Sequence, residues 1–162
     1  MTDRLVPRWP IWAFKLLIIV LAVSGFSQMP ISKRYYLADI PGLGWLADYY
    51  VTHLLHYVAA ILLLTLLIQA LVRYARVWRA EYKPTPLGAL RAGAWLLIAG
   101  SGILRVLKNR ADVYFGPGQV IAIDFVHLGS VFLLGIVALA AALMRRQAYL
   151  QPTAVRRAAS SH

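Results

Sequence analysis

The sequence predicts an all-α integral membrane protein, a four-helix bundle that runs up-down-up-down with both termini in the cytoplasm. Three observations support this prediction. The chain has 162 residues, of which 60% are hydrophobic and only 14% are charged, so it is far more apolar than an ordinary soluble domain. Four long apolar stretches each approach the roughly 20 residues of helix that cross a bilayer core. The basic residues lie mainly at the ends of these stretches and in the connecting loops.

Turn-forming residues divide the chain into its elements. The string PGLG at 41–44 precedes the second apolar stretch, KPTP at 83–86 precedes the third, and GPG at 116–118 precedes the fourth. The sequence shows no internal repeat that we can recognise. We therefore predict one membrane domain of four transmembrane helices, 1–146, with helices at about 9–29, 45–77, 87–107 and 118–146.

The last residues, 147–162, are polar and rich in small side chains. Terminal segments of this composition are usually poorly ordered. We expect them to form a cytoplasmic tail with little regular structure.

The distribution of basic residues predicts the orientation in the membrane. Twelve of them lie on the side of the termini and of the loop between the second and third helices, and five lie on the other side. The positive-inside rule therefore places both termini in the cytoplasm. We expect a multi-pass protein of the cytoplasmic (inner) membrane, in contact with lipid.

The net charge of +11 is explained by this topology, so it does not indicate nucleic acid binding. The chain has no cysteine, which excludes disulfides and thiolate metal sites within it. Any metal chemistry must use histidine, carboxylates or a bound cofactor.

Three histidines, His53, His56 and His127, lie within apolar helices, where an imidazole is costly unless it has a partner. His56 precedes the basic end of its helix at Arg73 by 17 residues, and His127 precedes Arg145 by 18. The two helices run in the same direction and rise about 1.5 Å per residue, so the two rings are expected at the same depth. Equal depth favours a bis-histidine haem, although each ring alone is equally well explained by a hydrogen bond across helices.

Four nearby residues are further candidates for cofactor binding. His53 is a possible ligand in place of His56, or a contact for a propionate or a quinone, but its depth matches His127 less well. Arg105 and Lys108 approach the same level, where cations pair with haem propionates or extend to the interface. Asp124 lies one helical turn before His127. We expect it to pair with Arg105; orienting a ligand histidine or handling protons are the alternatives.

Small residues lie near the predicted haem site. They occupy positions 100–102 in the third helix, and others follow His56 and His127. They would leave space for a flat macrocycle, and they are equally suited to close helix packing.

These features resemble those of the small cytochrome b subunits of membrane-bound respiratory oxidoreductases, such as the formate dehydrogenase gamma subunit and the nickel-iron hydrogenase cytochrome b. The resemblance covers the four-helix plan, THLLHYVAA in the second helix, GSGILRVLKNR in the third and DFVHLG in the fourth. It implies a haem b between the second and fourth helices. It also implies electron transfer between an extracytoplasmic iron-sulfur or cytochrome subunit and the quinone pool.

One difference from these relatives affects the number of haems. The relatives usually bind two haems, with further histidines from the first helix and from a second position in the fourth. Here the first helix has no histidine and the fourth has only His127, so we expect one haem rather than two. The chain also has no soluble catalytic domain, so the resemblance implies an electron-transfer subunit rather than a complete enzyme.

Two other classes of function remain open from the residues alone. His53, His56, Asp124 and His127 are also suited to a bare zinc or iron site in a small metal transporter or non-haem metal protein. A structural anchor, whose histidines only bond across helices, is the third interpretation. A haem spectrum that changes on reduction distinguishes the first class from the other two.

Overall fold

The computed structural model describes residues 8–29, 39–145 and 149–153. The predicted all-α fold is confirmed: within these residues, four helices are long and apolar enough to cross a membrane. They are α1 (Arg8–Ser27), α2 (Tyr49–Arg73), α3 (Pro86–Leu107) and α4 (Pro117–Leu143). A 3-10 turn, Gly44–Ala47, precedes α2, and a π-helical turn, Tyr74–Trp78, extends it.

The helices form two compact units, which we call the first and second hairpins. The first hairpin, Met1–Ala75, packs α1 against α2. The second, Arg76–His162, packs α3 against α4. Each hairpin therefore pairs an odd-numbered helix with the helix that follows it.

Side chains at the helix starts satisfy backbone N–H groups that have no partner within the helix. Asp48 accepts hydrogen bonds from the N–H groups of Tyr50 and Val51 at 2.8 and 3.2 Å, so α2 begins at Tyr49 rather than at the predicted residue 45. Thr85 accepts from the N–H of Gly88 at 2.9 Å and is followed by Pro86, a favoured first residue of a helix. These caps explain why the turn-forming strings mark the helix boundaries.

Large apolar side chains remain exposed along all four helices. Leu16, Leu54, Leu96 and Leu139 are 62%, 65%, 70% and 62% exposed. Soluble monomers rarely expose apolar surface on this scale, because each square ångström left in water costs about 25 cal/mol relative to burial. These surfaces fit contact with lipid, and together with the helix lengths they indicate a multi-pass membrane protein.

A short antiparallel pair of strands, β1 (Tyr82–Pro84) and β2 (Leu150–Pro152), lies next to α3 in the second hairpin. Thr85 N donates to the Tyr149 carbonyl at 3.0 Å, and Thr153 N donates to the Glu81 carbonyl at 2.8 Å. We call residues 81–85 and 149–153 the clasp. The expectation of an irregular tail is wrong for 149–153, and residues 147–148 and 154–162 lie outside the described part of the chain.

The clasp is held against α3 by two contacts that explain its order. The Tyr149 ring lies 4.7 Å from the guanidinium carbon of Arg91, which is only 4% exposed. A Cβ added at Gly88 would overlap the backbone carbonyl of Tyr149, so the clasp requires a residue without a side chain at this position. The cation–π contact and the close packing at Gly88 add stability that a sheet of this size would not have by itself.

Gly88→Ala is therefore expected to detach the clasp, because the added methyl group occupies the space of the Tyr149 carbonyl. Hydrogen exchange at the Thr85 and Thr153 amides should accelerate by about ten-fold, which corresponds to the loss of roughly 1.4 kcal/mol of local stability. Gly93→Ala is the matched control, since a Cβ there meets nothing within 4 Å. Equal exchange rates in the two variants would contradict this account of the clasp.

Candidate functional site

His56 lies against α1 in the first hairpin. Its Nδ1 is 2.9 Å from the hydroxyl oxygen of Ser24, which is fully buried. The same hydroxyl oxygen is 2.7 Å from the carbonyl oxygen of Val20. A Cβ at Gly25 would lie 3.2 Å from Cε1 of His56, closer than side chains normally approach. Ser24 thus binds one ring nitrogen, and Gly25 allows the ring to approach α1.

His127 lies against α3 in the second hairpin in the same way. Its Nδ1 is 3.1 Å from the hydroxyl oxygen of Ser101, which is 4% exposed. That oxygen is 2.5 Å from the carbonyl oxygen of Leu97. A Cβ at Gly102 would lie 3.4 Å from Cε1 of His127. A serine–glycine pair on the first helix of each hairpin therefore receives a histidine from the second helix.

The two hairpins share further equivalent positions. Residues of α3 correspond to those of α1 at an offset of 77, and residues of α4 correspond to those of α2 at an offset of 71. The equivalent pairs are Ser24 and Ser101, Gly25 and Gly102, Gln28 and Arg105, His53 and Asp124, His56 and His127, and the buried Ala59 and Ser130. The structure thus contains an internal repeat of two helices, which we did not expect from the sequence.

A second contact is also equivalent in the two hairpins. It joins the residue three positions before the histidine to the residue four positions after the serine. In the first hairpin, Nδ1 of His53 is 3.2 Å from Oε1 of Gln28. In the second hairpin, Oδ1 of Asp124 is 3.1 Å from Nε of Arg105. The repeat therefore keeps the geometry of this contact while its chemistry changes from neutral to ionic.

His53 has an aromatic environment. Its ring stacks on Tyr49 at a centroid distance of 5.0 Å and lies 4.2 Å from the ring of Tyr57. The amide nitrogen of Gln28 donates to the carbonyl oxygens of Ser24 and Thr52 at 3.1 and 3.4 Å, which orients the amide oxygen towards His53. His53 is thus a tyrosine-flanked, hydrogen-bonded residue.

Asp124 forms the predicted ion pair with Arg105 and a second one with Lys108. Nζ of Lys108 donates to both carboxylate oxygens, at 2.8 and 2.7 Å. Lys108 is 15% exposed, whereas Arg105 and Asp124 are each 41% exposed. Two cations against one carboxylate leave a formal charge of +1 at this end of the hairpin. Because Ser101 rather than Asp124 contacts Nδ1 of His127, we find no support for Asp124 as the group that orients this ring.

The candidate residues for a bare metal site are divided between the units. His53 and His56 belong to the first hairpin, and Asp124 and His127 belong to the second. Among the described residues, no group of three or more histidine and carboxylate side chains is placed to hold a metal ion.

Sequence reasoning identified the histidines and the ionic cluster but missed Ser24, Gly25 and Gln28. One signal was present: the dipeptide Ser-Gly occurs in both α1 and α3, and a histidine follows in each next helix. Comparisons with protein-family models, with curated proteins and with solved structures gave no match. A proposal for the function of this protein therefore rests on its own residues and their contacts.

Proposed function

We propose that this protein is a b-type cytochrome of the membrane, which transfers electrons between an extracytoplasmic redox partner and the quinone pool. His56 and His127 would be the two ligands of a single haem b. One observation carries the proposal: each hairpin presents a histidine at the equivalent position, in the same serine–glycine environment. In such a repeat, each copy would supply one imidazole, His56 or His127, to hold the haem iron.

The residues present fit a haem in three respects. Imidazole is a usual ligand of haem iron. In both histidines a serine contacts Nδ1, so Nε2 would be the nitrogen that binds the iron. Glycine at 25 and 102 allows both rings to pack directly on the neighbouring helix. The surplus positive charge of Arg105 and Lys108 is suited to the carboxylates of haem propionates.

The repeat also favours His56 over His53 as the ligand of the first hairpin. The position equivalent to His56 is a histidine, whereas the position equivalent to His53 is Asp124, which is engaged with two cations. His53 and Gln28 instead provide a polar, aromatic-lined surface suited to a propionate or to the ring of a quinone.

A bound haem b supplies a one-electron carrier in the apolar part of the membrane. The protein's contribution is to hold both imidazoles in fixed orientations and to surround them with apolar helices. Imidazoles held in this way would move little when the bound iron changes its oxidation state. The partner subunit is expected to be an extracytoplasmic iron-sulfur or cytochrome protein, and the chain would be a subunit of an oxidoreductase rather than a complete enzyme.

Purified protein tests the proposal through its optical spectrum. The reduced-minus-oxidised difference spectrum should show the absorption bands of a b-type haem, and a quinol should reduce the haem in membranes. A bare zinc site or a structural anchor would give no such spectrum. Protein that binds zinc but no haem after expression with sufficient haem supply would overturn the proposal.

Gly25→Ala is expected to weaken haem binding because its Cβ would lie 3.2 Å from His56 Cε1 and displace the ring by a few tenths of an ångström. We expect the affinity for haem to fall by about ten-fold, within the range for disturbed ligand orientation. Gly102→Ala should have a smaller effect, since its contact is 3.4 Å, and Gly100→Ala none, since its Cβ meets nothing within 4 Å. Haem titration of the three variants measures the order, and equal affinities would contradict it.

A further inference from the structure

We infer that Ser24 and Ser101 hold His56 and His127 in a single tautomer, protonated at Nδ1, and thereby leave the ring's lone pair on Nε2, the nitrogen that would ligate a metal. The tautomer assignment depends only on hydrogen bonds within each hairpin. Its consequence for haem rests on the proposed function. Both serines are therefore positioning residues, which act through the histidines rather than touching the cofactor.

The argument begins with the single proton of each hydroxyl. Ser24 Oγ lies 2.7 Å from the Val20 carbonyl oxygen and 3.4 Å from that of Leu21. Ser101 Oγ lies 2.5 Å from the Leu97 carbonyl oxygen and 3.2 Å from that of Ile98. Carbonyl oxygens only accept hydrogen bonds, so the hydroxyl proton is directed to the backbone in both cases.

The hydroxyl oxygen then has only lone pairs to offer to the third neighbour, Nδ1 of the histidine. An unprotonated Nδ1 at 2.9 or 3.1 Å would place two lone pairs against each other in a low-dielectric interior, where an unmade hydrogen bond is costly. A protonated Nδ1 instead donates to the serine oxygen. In a neutral imidazole this leaves the lone pair on Nε2, which is the form that ligates a metal.

The same contact affects the electronic character of the ligand. A hydrogen bond from Nδ1–H to an acceptor increases the basicity of the ring and fixes its orientation. If the proposed haem is bound, a more basic imidazole ligand would stabilise its oxidised iron relative to its reduced iron. The serines should therefore lower the reduction potential of the bound haem.

Nitrogen NMR of the full-length protein, labelled in its histidine rings and kept reduced, tests the tautomer directly. His56→Gln and His127→Gln assign the two signals by their disappearance. The expected result is a proton on Nδ1 and none on Nε2 for both residues, whether or not the preparation contains haem. Protonated Nε2 at either residue would overturn the inference. Absence of haem with the expected tautomers would instead contradict only the proposed function.

Ser24→Ala and Ser101→Ala test the positioning role by redox titration. Each should weaken the preference for oxidised iron by about ten-fold, which raises the midpoint potential by about 59 mV for a one-electron couple. Ser24→Thr and Ser101→Thr retain a hydroxyl that can bond the same backbone carbonyl, and should restore the original potential. Thr65→Ala in α2 is the control, since its hydroxyl donates to the Ile61 carbonyl at 2.8 Å.

A purely structural role for the serines gives a different pattern. The alanine variants would then lose stability or haem content, as judged by thermal unfolding and haem titration, with no change in potential in the haem that remains. An unchanged potential in both alanine variants would overturn the positioning role.

Discussion

Replacing either His56 or His127 with alanine is expected to abolish the haem spectrum, while the protein still inserts into the membrane. In the proposed site, each variant would remove one of the two histidine ligands of the haem, and the small alanine side chain offers no substitute donor. Membrane insertion depends on the apolar stretches of the four helices, which neither substitution changes. The measurement is the ratio of haem absorbance to protein in membranes containing equal amounts of each variant.

His53→Ala is the matched control for this experiment. It removes a histidine from the same helix, only three residues from His56, together with its contact to Gln28. It is expected to retain most of the haem, because both proposed ligands remain and only a contact suited to a propionate is removed. Full haem in both His56→Ala and His127→Ala would refute the ligand assignment, and loss of haem in His53→Ala with retention in His56→Ala would transfer the role to His53.

Asp124→Asn is expected to destabilise the second hairpin by about 1.5–3 kcal/mol, the range for hydrogen bonds to charged groups. The substitution leaves Arg105 and the largely buried Lys108 without a counter-charge, while the size of the side chain is preserved. We expect the lower end of this range because the Asp124 side chain is 41% exposed, so solvent screens its charge. Thermal unfolding in detergent, followed by helical circular dichroism, measures it.

Two further variants separate charge balance from other effects. The double variant Asp124→Asn with Lys108→Leu restores the original local charge and should recover much of the lost stability. Asp112→Asn removes the exposed loop pair with Arg110, whose side chain holds the pKa of Asp112 below its ordinary value, and should change stability little. If the double variant is no more stable than Asp124→Asn, the charge argument is wrong.

The sequence predicts the helices well because lipid imposes a simple rule on them. Each span needs an apolar run of sufficient length, and Asp48, Thr85 and the prolines that follow the turns mark where helices begin. The clasp was not predicted, since its order depends on a contact between Tyr149 and Arg91 that lie 58 positions apart. Local composition in the tail contains no information about such a contact.

The sequence predicted only those residues of the candidate site that carry a charge or an imidazole, because such side chains are rare within apolar helices. Asp124 and Arg105 could be paired because an ion in a membrane helix needs a partner. Ser24 and Gly25 were not predicted as site residues because small residues are common in membrane helices and have many packing roles. The internal repeat is difficult to recognise in the sequence for a similar reason. At most positions that face lipid, any apolar residue is acceptable. The two copies therefore share few identical residues apart from the Ser-Gly pair and the histidine.

The ratio of haem to polypeptide in the purified protein, measured together with the electron paramagnetic resonance spectrum of the oxidised form, tests the central claim most directly. One histidine from each copy of the repeat should give one haem per chain, with the low-spin signal of iron bound by two imidazoles. A protein that carries no haem, or a haem whose signal lacks a second imidazole ligand, would contradict the account.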